Sequence, residues 1–391
     1  MTRLSRRRFL ASSTLAAGGL CLGAPAHATG EVIEIGAILP LSGDLAVFGR
    51  QAKLGLELAA NEINESGGLR DRRVAVLYED DKGDPELAAA AAQRLAARQH
   101  VLAIAGPITS ASRDAMADTV AAAQIPLLYA TDYEGGDCGR YWFYFSTVPN
   151  QNAVPLITYL NSNIGQRFYL VGADYAWPRG LFDVAEATIE AEGGTMLGKL
   201  FVPLTGDVDF APVVEAVAAV GADVVVLALP GAKHWGFVDA ADRAGLLETL
   251  TLADLGGLAT YLDKDHRQYA APLYGCVPFV ETDPDVQDFV EAVRGIGGDD
   301  TVVTSYAMTH YGAMTALRTV LEEGGAVSRE GIAGGLPGLT YALPTGQAEI
   351  GSNTHHCALP MFIARIDEGS IEVIENLGTL PADPGCLVLP N

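Results

Sequence analysis

From residue 32 onward the chain alternates short apolar stretches with longer amphipathic ones. Residues 32–39 (VIEIGAIL) read as a strand. Residues 49–66 read as a helix, with Leu54, Leu56, Leu58, Ala59 and Ile63 at helical spacing and Gly67-Gly68 as the stop. A strand over 73–78, an alanine-rich helix over 85–98, a short buried strand over 101–105, a helix over 110–123 and a strand over 126–129 follow. This βαβαβαβ rhythm predicts a parallel sheet covered by helices on both faces.

The rhythm restarts after Asn150. Strands are expected over 167–172, 195–202, 223–229 and 249–253, with helices over 181–192, 210–220 and 233–244 between them. A strand over 274–279 and helices over 284–295 and 305–323 come next. Two apolar runs, 361–366 and 371–376, flank Asp367-Glu368-Gly369-Ser370 and predict a hairpin. The fold class is therefore α/β: two Rossmann-like lobes with parallel sheets. Length agrees, since 391 residues exceed one ordinary core. The expected lobes are 29–147 plus 281–337 and 148–280 plus 338–391. The chain would cross between them near 146–149, 279–282 and 334–342, a three-segment hinge.

Residues 1–28 are set apart by chemistry. Arg3, Arg6, Arg7 and Arg8 precede an apolar run, and Ala26-His27-Ala28 matches a cleavage site. Ser5-Arg6-Arg7-Arg8-Phe9-Leu10 fits the twin-arginine pattern. A signal peptide cleaved after Ala28, and export to the periplasm, are expected. Leu20 before Cys21 does not suit a lipid-anchoring signal, which wants a small residue there. The net charge of −23 argues against nucleic acid as a partner, because phosphate contacts need clustered Lys and Arg. Cys138, Cys276, Cys357 and Cys386 remain after cleavage, and an oxidising compartment allows one or two disulfides among them, with the pairing open.

Catalytic chemistry is not legible. The chain has no G-x-S-x-G elbow, no G-x-x-x-x-G-K-[ST] loop and no C-x-x-C pair. Asp80-Asp81 reads as a solvated turn. His355-His356 would point to opposite faces of a strand and so make a poor joint metal site. Neither an enzyme nor a cofactor is expected.

The residues of interest sit at strand ends, where open parallel sheets bind ligands. Thr109 and Ser110 begin a helix after the strand 101–105 and offer hydroxyls beside free backbone N–H groups. Tyr129, Ala130 and Thr131 end the next strand. Tyr175 and Trp177 follow the first strand of the second half and supply flat apolar walls with a polar handle. Asp254 ends the strand 249–253 and offers a carboxylate to an NH₂ or an ammonium. Each has a plainer alternative: Thr109 or Ser110 as a helix cap, Tyr175 and Trp177 as packing, Asp254 as a cap on the following turn. With the resemblance described next, these eight are the expected ligand contacts.

Residues 35–49 (IGAILPLSGDLAVFG) resemble the opening of the type I periplasmic binding proteins that serve branched-chain amino acid uptake. Residues 106–113 (GPITSASR), Tyr133-Glu134-Gly135 with Cys138, Pro149-Asn150-Gln151-Asn152 and residues 172–179 (GADYAWPR) are more similar to the urea- and short-chain-amide-binding branch. Pro344-Thr345-Gly346 with Asn353 and His355 fits that branch more weakly. The likeness spans about 31–375. It implies delivery of a small solute to a membrane ABC permease by a monomeric receptor. Ser110 and Thr131 resemble the first-lobe hydroxyls, Tyr175 the aromatic closing from the second lobe, and Asp254 the acid that amino acid binders keep for the α-ammonium. The branch often carries Tyr where this chain has Ile108. The expected ligand is urea, a short amide or a related amide-bearing solute; an aliphatic amino acid is the alternative, and a periplasmic ligand sensor a third reading.

Overall fold

The computed structural model describes residues 31–256, 258, 272–367 and 370–388. The predicted leader, its cleavage after Ala28 and the turn residues Glu368 and Gly369 lie outside the described residues.

The first sheet runs in the order β2 (Val74–Asp80), β1 (Ile33–Leu39), β3 (Val101–Ala105), β4 (Leu127–Tyr129), β5 (Trp142–Tyr144). All four pairings are parallel. Burial explains the composition: β3 (VLAIA) is buried at every position, as a strand covered on both faces must be. Three helical segments cover this sheet in the first half of the chain: α1 (Ala46–Glu65), α2 (Pro85–Ala96) and the pair α3 (Ser110–Ala115) and α4 (Ala117–Ala123). The single helix expected over 110–123 is thus two. Met116 N–H closes on Arg113 O, a tighter turn than the α-helical one, and the ladder restarts beyond it.

After β5 come α5 (Ala153–Asn163), β6 (Arg167–Ala173), α6 (Ala176–Ala191), β7 (Thr195–Val202), α7 (Ala211–Val220), β8 (Val224–Ala228), α8 (Ala232–Arg243), β9 (Thr251–Asp254) and β10 (Leu273–Val277). The strands β10-β9-β8-β6-β7 pair in parallel. Helix α6 begins at Ala176, five residues before the position expected. Pro178 stands in its first turn, where a missing N–H costs no helical bond.

The chain then returns to the first sheet. Helices α9 (Gln287–Gly297), α10 (Ser305–Glu322) and α11 (Arg329–Gly335) follow, and α10 lies along α1. The two helices meet closely at Gly55: a Cβ there would stand 2.0 Å from the carbonyl oxygen of Ala307. Finally β11 (Thr340–Leu343), β12 (Gly346–Ile350), β13 (Cys357–Asp367) and β14 (Ser370–Leu380) extend the second sheet with antiparallel pairings. The hairpin expected over 361–376 is therefore present and longer at both ends. The elements β5, α5, α11, β11 and β12 were not anticipated; α5 nonetheless buries Ala153, Leu156, Ile157 and Leu160 at helical spacing. The architecture is α/β, with two parallel-sheet lobes. No helix among the described residues is long and apolar enough to cross a membrane.

The cysteine pairing left open by the sequence is resolved in part. Cys138 and Cys386 form a disulfide, while Cys276 and Cys357 are buried thiols.

Candidate functional site

A cleft of about 400 Å³, open mouth included, lies where the carboxyl ends of both sheets' parallel strands converge. From the first lobe, Leu45 and Phe48 come from the end of β1 and the start of α1. Ile108, Thr109 and Ser110 follow β3, Thr131 and Asp132 follow β4, and Tyr306 begins α10. From the second lobe, Tyr175 and Trp177 follow β6, Pro230 follows β8 and Gly256 follows β9. Every strand end that contributes is one of a parallel strand, so the topology of each sheet gathers its loops at one edge.

Five of the eight residues singled out in the sequence line this cleft: Thr109, Ser110, Thr131, Tyr175 and Trp177. The other three stand behind it. Tyr129 is fully buried and its hydroxyl donates to Ile108 O at 3.1 Å. Ala130 is buried, and its carbonyl accepts from the Thr309 hydroxyl at 2.7 Å. Asp254 is buried and does not line the cleft: one carboxylate oxygen accepts from Gly256 N–H at 3.0 Å, and the other stands 3.6 Å from His234 Nδ1. The strand-end rule points to loops that meet at this cleft, but it does not say which side chain of a loop faces inward.

The acid that does face the cleft is Asp132, one residue past Thr131. Tyr306 donates its hydroxyl to Asp132 Oδ1 at 2.9 Å. Burial pushes the Asp132 carboxyl up to about 7, against the opposing pull of that hydrogen bond; the nearby carboxylates of Asp254 and Glu134 push the same way as burial. Asp132 was within reach of sequence reasoning, because it lies in the same loop after β4 as Thr131. Leu45, Phe48 and Tyr306 were not, since their approach depends on how α1 and α10 pack.

The remaining polar groups divide into donors and acceptors. Ser110 donates to Glu134 Oε2 at 2.6 Å, and Thr131 donates to Pro107 O at 3.3 Å. The Thr109 oxygen accepts from Ser112 N–H at 3.1 Å as a helix cap, a bond that does not use its own proton. Trp177 Nε1–H is buried with no partner. Among the described residues no Lys, Arg or His lines the cleft. Behind Ser110 the Arg113 guanidinium, 3% exposed, stands 3.4 Å from Glu134 Oε1 and 3.4 Å from Asp137, over the rings of Tyr129 and Tyr133.

A second, outer cavity of about 750 Å³ shares Leu45 and Pro230 with the first and carries Lys82 and Lys233 on opposite lobes. The lobes touch beside it, where a Cβ on Gly231 would stand 2.8 Å from Asp44 O.

Other candidate chemistry resolves into packing. Asp80 accepts from Leu41, Ser42 and Lys82 N–H groups and fastens a turn. His355 stacks on Phe143 and His356 on Tyr144, on opposite faces of β5, and burial lowers the His356 ring to about 4. Among the described residues no group of three or more His, Cys, Asp or Glu is placed to hold a metal ion.

These features define a class of fold: two α/β lobes with a cleft between the carboxyl ends of their parallel strands. A sequence profile described as "Periplasmic binding protein" matches residues 32–370, and the chain belongs to that family. It is 30% identical over 246 residues to the Leu/Ile/Val-binding protein BraC3 of Rhizobium johnstonii, covering 60% of this chain and 61% of that one. It is 26% identical over 345 residues to Leu/Ile/Val-binding protein homolog 8 of Brucella melitensis, covering 82% and 83%. The chain thus spans about three-fifths of the first of these relatives and most of the second. Two solved structures share the fold. One is the LivJ substrate-binding protein of Streptococcus pneumoniae in complex with isoleucine (TM-score 0.77, 20% identity, 89% of this chain and 99% of that one). The other is an R. palustris solute-binding protein in complex with 4-hydroxybenzoate (TM-score 0.79, 22% identity, 90% and 98%). Family and structural neighbours are solute-binding proteins, not enzymes.

Proposed function

We propose that this chain is the exported, monomeric solute-binding component of an ABC uptake transporter, and that it encloses a small aliphatic amino acid between its lobes. The observation that carries this reading is Asp132, the one charged side chain among the described cleft-lining residues, set beside Tyr306 with no base opposite it. A zwitterion satisfies such a site from both ends. Its ammonium pairs with Asp132, and its carboxylate takes the Thr109 hydroxyl and Trp177 Nε1–H. Leu45, Phe48, Ile108 and Pro230 then cover an aliphatic side chain. A plain carboxylic acid fits poorly, because it would face Asp132 uncompensated.

In this reading the ammonium partner expected at Asp254 is Asp132 instead. The lobes are 29–147 plus 281–337 and 148–280 plus 338–391, and they close by a hinge motion through the three crossings. Residues 1–28 direct export to the periplasm, and the partner is a membrane permease.

Urea or a short-chain amide is the second reading. It is favoured by the raised Asp132 carboxyl, which in its neutral form can donate to an amide carbonyl. Titration calorimetry on protein that has been unfolded and refolded to strip any retained ligand decides between them. Binding of leucine, isoleucine or valine but not of urea or acetamide supports the amino acid reading. The converse result establishes the amide one, and binding of neither removes both.

A further inference from the structure

Ser110 lines the cleft, yet the proton of its hydroxyl is already spent. It goes to Glu134 Oε2 at 2.6 Å, and Glu134 does not line the cleft. The other oxygen of Glu134 faces the Arg113 guanidinium at 3.4 Å. Arg113 has no acceptor atom, and a carboxylate has no donor. The direction of the Ser110–Glu134 bond is therefore forced: serine gives, glutamate takes. What Ser110 presents to the cleft is a lone pair.

We propose that Glu134 fixes the polarity of the binding site, holding Ser110 as a hydrogen-bond acceptor so that the site selects a ligand with an N–H group at that point. Glu134 acts through Ser110 and is a positioning residue. The surroundings hold it in place. A Cβ on Gly180 of α6 would stand 2.7 Å from Glu134 Cβ, so the second lobe leans on it directly. The loop that carries Glu134 is tied to the C-terminal tail by the Cys138–Cys386 disulfide and by the Gly136 N–H to Pro384 O bond at 2.7 Å. Together with Asp132, Ser110 gives the cleft an acceptor end, which suits an ammonium or an NH₂ group.

Glu134→Gln isolates the effect with almost no change in shape. The glutamine carbonyl must take the Arg113 side, because arginine can only donate, so its NH₂ faces Ser110. Ser110 then accepts, and its proton turns into the cleft. The ligand arm of the test rests on the amino acid reading and uses L-leucine and 2-hydroxy-4-methylpentanoate, which differ only where the ammonium stands. Calorimetry should show Glu134→Gln shifting the ratio of the two affinities toward the hydroxy acid by about tenfold, the scale of one hydrogen bond turned from paired to opposed. In a Ser110→Ala background the same substitution should leave the ratio unchanged. Equal weakening of both ligands, or the same shift without Ser110, overturns the proposal.

A second arm needs no ligand. The carboxyl ¹³C signal of Glu134 in the ligand-free protein should move in Ser110→Ala and stay in place in Thr109→Ala. An unmoved signal in Ser110→Ala overturns the polarity argument. A moved signal in a protein that binds no amino acid overturns the ligand reading alone.

Discussion

The Tyr306 hydroxyl donates to Asp132 Oδ1 at 2.9 Å across 174 residues of sequence. One partner follows a strand of the first sheet, and the other stands in the first turn of the helix that returns to cover it. The bond anchors a carboxylate in a cleft lined otherwise by apolar side chains, hydroxyls and an indole.

Asp132→Asn should reduce leucine affinity by more than about a hundredfold, because it leaves a buried ammonium without its counter-charge. Tyr306→Phe, which keeps the carboxylate and removes one bond to it, should cost about tenfold or less. Asp254→Asn should leave affinity within about threefold, since Asp254 faces His234 and Gly256 rather than the cleft. Calorimetry on the three variants checks the ranking; a larger loss from Asp254→Asn would return the ammonium to that residue.

Ligand affinity should depend on pH in a direction that names the ligand. Asp132 titrates near 7 in the empty cleft, and an ammonium requires its ionised form. Leucine should therefore bind about tenfold more tightly at pH 8 than at pH 6. A neutral amide held by the protonated carboxyl should show the opposite slope. Parallel titrations at the two pH values give the sign.

Stability of the empty protein should run against function at the same residue. The folded state holds the Asp132 proton up to about 7, above the ordinary 3.8. The contribution of this group is fully present below the ordinary value and is lost as pH rises through the folded one. Asp132→Asn removes that loss. Its melting temperature should exceed that of the parent protein, by more at pH 8 than at pH 5, and a thermal melt at each pH tests this.

Gly231 permits the lobes to meet. Its φ is 60°, and an added Cβ would collide with Asp44 O on the other lobe. Gly231→Val should weaken ligand binding by about tenfold or more and leave the ligand-saturated protein less compact in small-angle scattering. Unchanged affinity would show that the lobes close without this contact.

Cys386→Ser should destabilise the folded protein by roughly 2–5 kcal/mol, since the disulfide closes a long stretch of chain. Denaturant unfolding measures the loss. In the intact mature protein, thiol reagent should react slowly, because Cys276 and Cys357 are buried and burial pushes the Cys357 thiol up to about 12.

Local pattern along the chain determined the two α/β halves and the loops that border the cleft. Strand and helix periodicities are local properties, and a buried parallel strand such as VLAIA at 101–105 announces itself by composition. The carboxyl ends of those strands are equally local, so Thr109, Ser110, Thr131, Tyr175 and Trp177 were legible from their positions. Tertiary structure alone decided which acid faces the cleft. Asp132 lies just past β4 and Asp254 ends β9, and they are told apart by their neighbours: α10 brings Tyr306 to one, and α8 brings His234 to the other. It likewise decided that Cys138 pairs with Cys386, 248 residues away, and that Leu45 and Phe48 complete an apolar wall. Backbone periodicity comes from residues a few positions apart, whereas charge, polarity and shape at a site come from side chains that only packing brings together.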